Sequence, residues 1–331
     1  MPANLPPQYL EAEKRYRLAK AVPDKIKALE EMLAIIPKHK GTEKLRADLK
    51  RRMSKLRAEA QKKSGPGRRG YAFHVEREGA GQVVLVGLPN VGKSAILDRL
   101  TNALPEVAEY PFTTRKPLPG MMEFGDIQIQ LVDLPAVSPE YTEPWVSGII
   151  RNADLALLVI DLSGEDPLEQ IEVVKGELEQ QWKIHLVGSG EEGDPGEVGR
   201  VSKKTLIVGN KNDGKRASEN YTILRDLYGE RFPTISISAR DGVNLEELRR
   251  RIYDLLQIMR VYTKPPGKEP SFSNPVVLPK GSTVLDVAAS VHKDFTQKLK
   301  FARIWGGGKY EGQKVQRDYV VQDGDVIELH I

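Results

Sequence analysis

The sequence predicts an α/β protein: a mostly parallel sheet with helices on both faces, preceded by a helical hairpin and followed by a smaller α+β domain. Three observations carry that expectation. Short apolar runs at 83–86, 127–132, 155–160, 205–208 and 234–237 read as buried strands. Between them, apolar residues recur at helical spacing in 95–100, in Leu168/Ile171/Val174/Leu178/Trp182, in Tyr221/Leu224/Tyr228 and in Leu245/Leu248/Ile252/Leu255/Met259. A glycine-rich turn at 87–94 joins the first run to the first helical pattern. Repeated strand–helix units of this kind bury their strands on both faces.

The flanking parts follow from spacing and breakers. Leu29, Met32, Leu33 and Ile36 form one helical stripe, Pro37 and Gly41 interrupt it, and Leu45, Leu49, Met53 and Leu56 form a second. Ser64-Gly65-Pro66-Gly67-Arg68-Arg69-Gly70 then reads as a flexible linker. The glycine-rich, acidic stretch 188–199 reads as a mobile surface loop. Tyr262-Thr263-Lys264-Pro265-Pro266-Gly267 marks a second boundary. Beyond it, 275–278 suits a strand, 283–292 a helix with Ser282 as N-cap, and 303–305 and 325–331 further strands, the last after an Asp323-Gly324 turn. The expected division is 1–70, 71–259 and 260–331.

Composition narrows the class. With 40% hydrophobic residues, the 331-residue chain can bury several cores, yet no run reaches the roughly 18 apolar residues of a membrane helix. Met1-Pro2-Ala3-Asn4 lacks a signal-peptide pattern, and the absence of cysteine removes disulfides and thiolate chemistry. Both features suit a cytoplasmic protein without membrane contact. The net charge of +4 conceals an asymmetry: residues 1–70 carry +11 and the remainder −7. A basic arm attracts phosphate backbones by counterion release, although a solvated Lys/Arg-rich helical face gives the same count.

The chemistry lies in three ordered stretches. Gly87-Leu88-Pro89-Asn90-Val91-Gly92-Lys93-Ser94 is a G-x-x-x-x-G-K-S phosphate loop between a strand and a helix. Gly87, Pro89, Asn90, Val91, Gly92, Lys93, Ser94 and Ala95 form the expected cradle, with Lys93 on the β- and γ-phosphates and the Ser94 hydroxyl on Mg²⁺. Asp133-Leu134-Pro135 follows the second apolar run, where a carboxylate binds Mg²⁺ through water. An aspartate there also serves as a turn former, and its place downstream of the phosphate loop favours the metal role. Asn210-Lys211-Asn212-Asp213 supplies a guanine reader: Asp213 accepts from N1–H and the exocyclic amine, a donor pair that adenine lacks. Lys211 lies along the base plane and Asn210 holds neighbouring loops. Ser238-Ala239-Arg240 completes the base pocket through the Ala239 amide at O6. Tyr110-Pro111-Phe112-Thr113-Thr114-Arg115 supplies a switch threonine for Mg²⁺, with Thr114 favoured over Thr113. The cofactors expected are thus GTP or GDP and Mg²⁺. The five histidines, including His292 and His330, are too dispersed to suggest another metal site.

At these residues the chain resembles the Obg-like GTPases, and most closely the developmentally regulated GTP-binding (DRG) proteins. The matching pieces are Gly-Leu-Pro-Asn-Val-Gly-Lys-Ser, Tyr-Pro-Phe-Thr-Thr, Asp-Leu-Pro and Asn-Lys-Asn-Asp, with the lead-in Ile36-Pro37-Lys38-His39-Lys40-Gly41-Thr42-Glu43. Val261-Tyr262-Thr263-Lys264-Pro265 and Asp323-Gly324-Asp325-Val326 are similar to a TGS domain, a ubiquitin-like β-grasp fold. The resemblance implies a P-loop NTPase G domain that hydrolyses GTP slowly, with Lys93, Thr114 and Asn90 acting in the reaction. It also implies K⁺ at Asn90 and association with ribosomes or structured RNA, or with a protein partner; nothing suggests DNA specificity. Lys293, Lys298, Lys300 and Arg303 would offer phosphate contacts, or simply a solvated surface. The alternative is a nucleotide-gated binding module with little or no hydrolysis.

Two departures stand out. Ala136 replaces the family glycine, whose amide meets the γ-phosphate; Val137, an apolar residue where Ras-like proteins keep a water-positioning glutamine, is by contrast a trait that the resemblance implies. DRG proteins usually carry an inserted subdomain, whereas Asp133 to Asn210 leaves room here for only a helix, a strand and an acidic loop.

Overall fold

The computed structural model describes residues 7–18, 22–36, 46–54, 73–101, 116–139, 142–188, 199–270, 272, 274–306 and 312–330. The chain divides into two compact units, 1–72 and 73–331. The motif Tyr110 to Arg115, with Thr113 and Thr114, lies outside the described residues. So do residues 37–43 of the lead-in, the linker 64–70 and most of the acidic loop 188–199.

In the first unit the two predicted helices are present as α2 (Val22–Ile35) and α3 (46–54), and a third helix, α1 (Pro7–Leu18), precedes them. Tyr9 and Ala12 of α1 join Leu29, Met32, Ile36, Leu49 and Met53 in one core. Sequence spacing missed α1 because it presents few aliphatic residues to that core. The Arg46 side chain of α3 donates to the Ile36 carbonyl at 2.9 Å, tying α3 to the end of α2.

The second unit holds two sheets. The first contains β1 (Gln82–Val86), β2 (Leu118–Phe124), β3 (Ile127–Asp133), β4 (Leu155–Asp161), β5 (Ile184–Val187), β6 (Val201–Asn210) and β7 (Thr234–Ser236). Their order is β2-β3-β1-β4-β6-β5, with β7 also on β6; β2 alone runs antiparallel. The ten-residue β6 makes this possible: Val201–Lys204 pairs with β5 and Ile207–Gly209 with β7. Strand alternation explains the two-faced core. Val83, Leu85, Leu155, Leu157 and Val208 pack with α4 (Lys93–Leu100) and α8 (Leu245–Leu256). Val84, Val86, Ala156, Leu158 and Ile207 pack on the other face with α5 (Val146–Asn152), α6 (Pro167–Gly176) and α7 (Ala217–Tyr228).

Several local expectations are corrected. The Leu168–Trp182 pattern is α6 followed by a π-helical turn at Glu177–Gln181, not one regular helix. Between Asp133 and Asn210 the chain fits α5, β4, α6 and the edge strand β5 before β6, more than a helix, a strand and a loop. The helix through Leu255 stops at Leu256 because Gln257 turns left-handed, with φ of 53°. Met259 therefore belongs to the strand β8 (Ile258–Thr263), which runs into the expected boundary segment.

The second sheet is β11-β10-β12-β8-β9, where β9 is Val276–Pro279, β10 Phe301–Trp305, β11 Gln313–Val315 and β12 Asp325–His330. Only β12 and β8 run parallel within it. Helices α9 (Val284–Val291) and α10 (Lys293–Lys298) follow β9, and α9 buries Val284, Val287 and Ala288 among Met259, Val261, Ile304 and Ile327. Polar contacts lock the two sheets together. Arg260 of β8 donates to Asp126 at 3.0 Å in the β2–β3 turn and to Asp323 at 2.9 Å, while Tyr253 of α8 donates to Asp323 at 2.9 Å. Tyr262 also donates to Asp126. Although burial opposes it, these donors hold the Asp126 carboxyl below its ordinary value, so the junction keeps its charge.

The N-cap of α9 is Thr283, not Ser282. Thr283 Oγ1 accepts from the Asp286 amide at 3.4 Å, and Asp286 Oδ2 accepts from the Thr283 amide at 2.7 Å, a reciprocal capping box. Ser282 instead donates to the Pro279 carbonyl. Thr283→Ala should therefore destabilise α9 by about 1 kcal/mol and Ser282→Ala by less than half of that. Amide hydrogen exchange across 284–291 measures the difference; equal protection in the two variants would contradict this assignment.

Candidate functional site

The site lies at the carboxyl ends of β1, β3, β4, β6 and β7, where a parallel sheet presents its loops. Gly87 leaves β1 so close to β4 that a Cβ would sit 2.4 Å from the Val159 carbonyl. Asn90 and Gly92 both turn left-handed, with φ of 65° and 95°, which wraps the loop onto α4. Pro89 and Asn90 are exposed at its mouth, Val91 is buried beneath it, and Ala95 lies in the first turn of the helix.

Lys93 is only 8% exposed, and its ammonium donates to the Gly87 and Leu88 carbonyls at 3.2 and 3.0 Å. Burial pulls its pKa down to about 8, while Asp133 nearby opposes the shift. Ser94 Oγ donates to Asp133 Oδ2 at 2.5 Å. Burial pushes the Asp133 carboxyl up, against that bond and the Lys93 charge. Asp133 Oδ1 is buried with no hydrogen-bond partner among the described residues. An orphaned carboxylate oxygen next to a hydroxyl is a hard-oxygen pair that fits Mg²⁺. The described residues hold no cluster of three or more His, Asp or Glu that suits another metal.

Asn210 is buried and bridges two loops: its Nδ2 donates to the Val91 carbonyl at 2.9 Å, and its Oδ1 accepts from the Ala239 amide at 3.0 Å. The Ala239 amide, expected at guanine O6, is thus also engaged by Asn210. A Cβ on Gly92 would sit 2.3 Å from Asn210 Nδ2, so this bridge requires glycine there. Asp213 Oδ1 accepts from Ser238 Oγ at 2.8 Å, and its Oδ2 pairs with the exposed Arg240 at 2.8 Å. The Ser238 bond above all keeps the Asp213 carboxyl below its ordinary value, so it is ionised and oriented as an acceptor. Lys211, left-handed at φ 62°, pairs through Nζ with Asp161 Oδ2 at 2.6 Å.

Sequence reading did not single out Asp161, although the signal was present: it is the acidic residue ending the apolar run of β4. Ala136 is partly exposed and is not among the left-handed residues, so alanine carries no backbone strain there. Val137 is fully buried beside Leu134 and Val146, and its amide donates to the Gly87 carbonyl at 3.1 Å. His330 hydrogen-bonds Glu328, and His292 accepts from the Asp294 amide, so both serve structure. In the second sheet Lys298, Lys300 and Arg303 are exposed. No helix among the described residues is long and apolar enough to cross a membrane.

Known proteins match most of this chain. Residues 82–188 match the family described as 50S ribosome-binding GTPase, and residues 259–331 match the TGS domain. A GTP-binding protein of Methanocaldococcus jannaschii is 32% identical, covering 94% of this chain and 93% of its own length. Developmentally-regulated GTP-binding protein 1 of Xenopus laevis is 29% identical over 92% of this chain and 98% of its own length. These alignments run over 367 and 365 positions, more than the 331 residues here, so the relatives carry segments that this chain lacks. The YchF GTPase structure from Schizosaccharomyces pombe superposes with a TM-score of 0.53 at 13% identity, over 78% of this chain and all of that one, a likeness of fold. Both its sequence relatives and its paired GTPase and TGS domains make this chain a GTP-binding protein of the DRG family.

Proposed function

We propose that this protein is a slow GTPase switch that binds GTP and GDP in the cleft above the sheet and signals to a ribosome or structured RNA. The observation that carries the reading is the convergence of Lys93, the Ser94–Asp133 pair and Asp213 on one rim of the sheet, braced by Asn210. The buried Lys93 ammonium, held by two loop carbonyls, would exchange them for β- and γ-phosphate oxygens. Loop amides from Gly87 to Ala95 would cradle the phosphates with the amino end of α4 behind them. Ser94 and Asp133 would hold Mg²⁺, which when bound supplies positive charge between phosphate oxygens. Asn90 would offer an oxygen to K⁺, and Thr114 would be the switch threonine that ligates Mg²⁺. Asp213, oriented by Ser238, would read guanine, with Lys211 along the base, and Arg240 would swing aside.

Val137 favours slow intrinsic turnover. Its side chain is packed in the core and its amide is spent on the phosphate loop, so it can neither orient nor polarise a water. The same burial supports the second reading, a nucleotide-gated binding module with little hydrolysis. For the partner, the basic 1–70 arm and the exposed Lys298, Lys300 and Arg303 supply charge for RNA phosphates. Because this chain is shorter than its relatives, partner contacts made by their extra segments do not carry over.

Asp213→Asn should weaken GDP binding by at least tenfold and improve binding of xanthosine diphosphate, whose extra carbonyl suits an amide donor. Calorimetric titration with both nucleotides reads this, and unchanged GDP affinity would remove Asp213 from the base site. Phosphate release should be slow in Na⁺ buffer, faster in K⁺ and faster again with ribosomes; no stimulated turnover under any condition would leave the binding-module reading. RNA binding should weaken steeply between about 50 and 200 mM salt. A salt-independent affinity in filter binding would count against the basic arm.

A further inference from the structure

Asp161 lies outside every motif, yet its carboxylate pairs with the lysine of the candidate guanine motif. It ends β4 directly in register with Asn210 at the end of β6, and the next amide, of Leu162, donates to the Asn210 carbonyl at 2.9 Å. Gln170 of α6 fixes its backbone, donating to the Asp161 carbonyl at 3.0 Å and accepting from its amide at 2.9 Å. The Ser163 amide and hydroxyl hold Oδ1 at 2.9 and 2.6 Å. Oδ2 is thereby aimed at Lys211 Nζ, 2.6 Å away. The carboxylate is immobilised through its backbone and through Oδ1, and among the described residues the partner of Oδ2 is the lysine of the guanine motif.

Lys211 has a second acid within its field. Its charge also acts on Asp213, whose carboxylate is the acceptor assigned to guanine. A lysine ammonium on a flexible stem pairs with whichever carboxylate is available, and pairing with Asp213 would compete with the two guanine donors. The left-handed backbone at Lys211 turns its side chain toward β4 instead, where Asp161 neutralises it.

We propose that Asp161 is a positioning residue for guanine recognition: it anchors Lys211 along the base plane and so keeps Asp213 available to the base. This inference rests on the assignment of Asp213 to guanine. A charge-assisted hydrogen bond of this kind, once lost, exposes the base site to a rival donor, and the effect on binding is about tenfold.

The test is a double-mutant cycle read by calorimetric GDP binding, with Asp213→Asn measured alongside. Asp161→Asn should weaken GDP binding about tenfold, and Asp161→Glu, which keeps the charge, should lie closer to wild type. In a Lys211→Met background, where no ammonium remains to be held, Asp161→Asn should change GDP affinity by less than twofold. Wild-type affinity in the single Asp161→Asn variant would overturn the proposal. So would an equal loss in both backgrounds, which is what a merely structural role in the Ser163 turn produces. If Asp213→Asn binds GDP normally, the base assignment itself fails; if it behaves as expected while the cycle shows no coupling, only the role of Asp161 fails.

Discussion

The site depends on one side chain, the buried amide of Asn210. It spans from the Val91 carbonyl in the phosphate loop to the Ala239 amide in the loop after β7, closing both polar ends at normal hydrogen-bond length. Each such bond contributes about 1 kcal/mol, but leaving either end unpaired in this buried position costs about 1–3 kcal/mol. That asymmetry makes the bridge stiff. The phosphate loop and the candidate base pocket are thereby held at one distance from each other, as binding both ends of a single nucleotide would require. Gly92 is part of the same device, since a methyl group there would displace the Asn210 amide.

Charge in the cleft is arranged by burial. Lys93 and Asp133 both sit in low-dielectric surroundings that disfavour their ionised forms, the lysine pulled down to about 8 and the carboxyl pushed up. Each opposes the shift of the other without forming a direct hydrogen bond between them. Such a site gains most from a ligand that brings both anionic oxygens and a cation. Asp213 and Asp161, by contrast, are held ionised by fixed donors, so the candidate base side is an acceptor surface whose charges are already paired.

The second sheet is attached to the G-domain sheet at a telling place. Arg260 and Tyr262 grip Asp126 in the turn between β2 and β3, and β3 ends on Asp133. The strand that carries the candidate metal carboxylate thus also carries the anchor of the TGS sheet at its opposite end.

Much of this was written in the sequence. The periodic switch from helical spacing to short apolar runs specified the α/β class, because strands buried on both faces must be apolar at every position, as Val83 to Val86 are. The order of the phosphate loop, Asp133 and Asn210 to Asp213 marked out the candidate nucleotide site, because loops at the carboxyl ends of successive parallel strands converge on one rim. Edge strands were not legible: β2 and β5 each have one neighbour and mixed composition, and a ten-residue β6 that pairs with β4, β5 and β7 leaves no periodic trace. Nor was α1, whose buried face is Tyr9 and Ala12, or the true cap of α9, since Ser282 and Thr283 are chemically alike and only the reach of Asp286 separates them. Asp161 shows the same division. Its residue type and place at the end of a strand were visible, but its pairing with Lys211, 50 residues further along the chain, depends on β4 and β6 lying side by side. Sequence determines which groups are available, and only the folded sheet decides which of them come within hydrogen-bond reach.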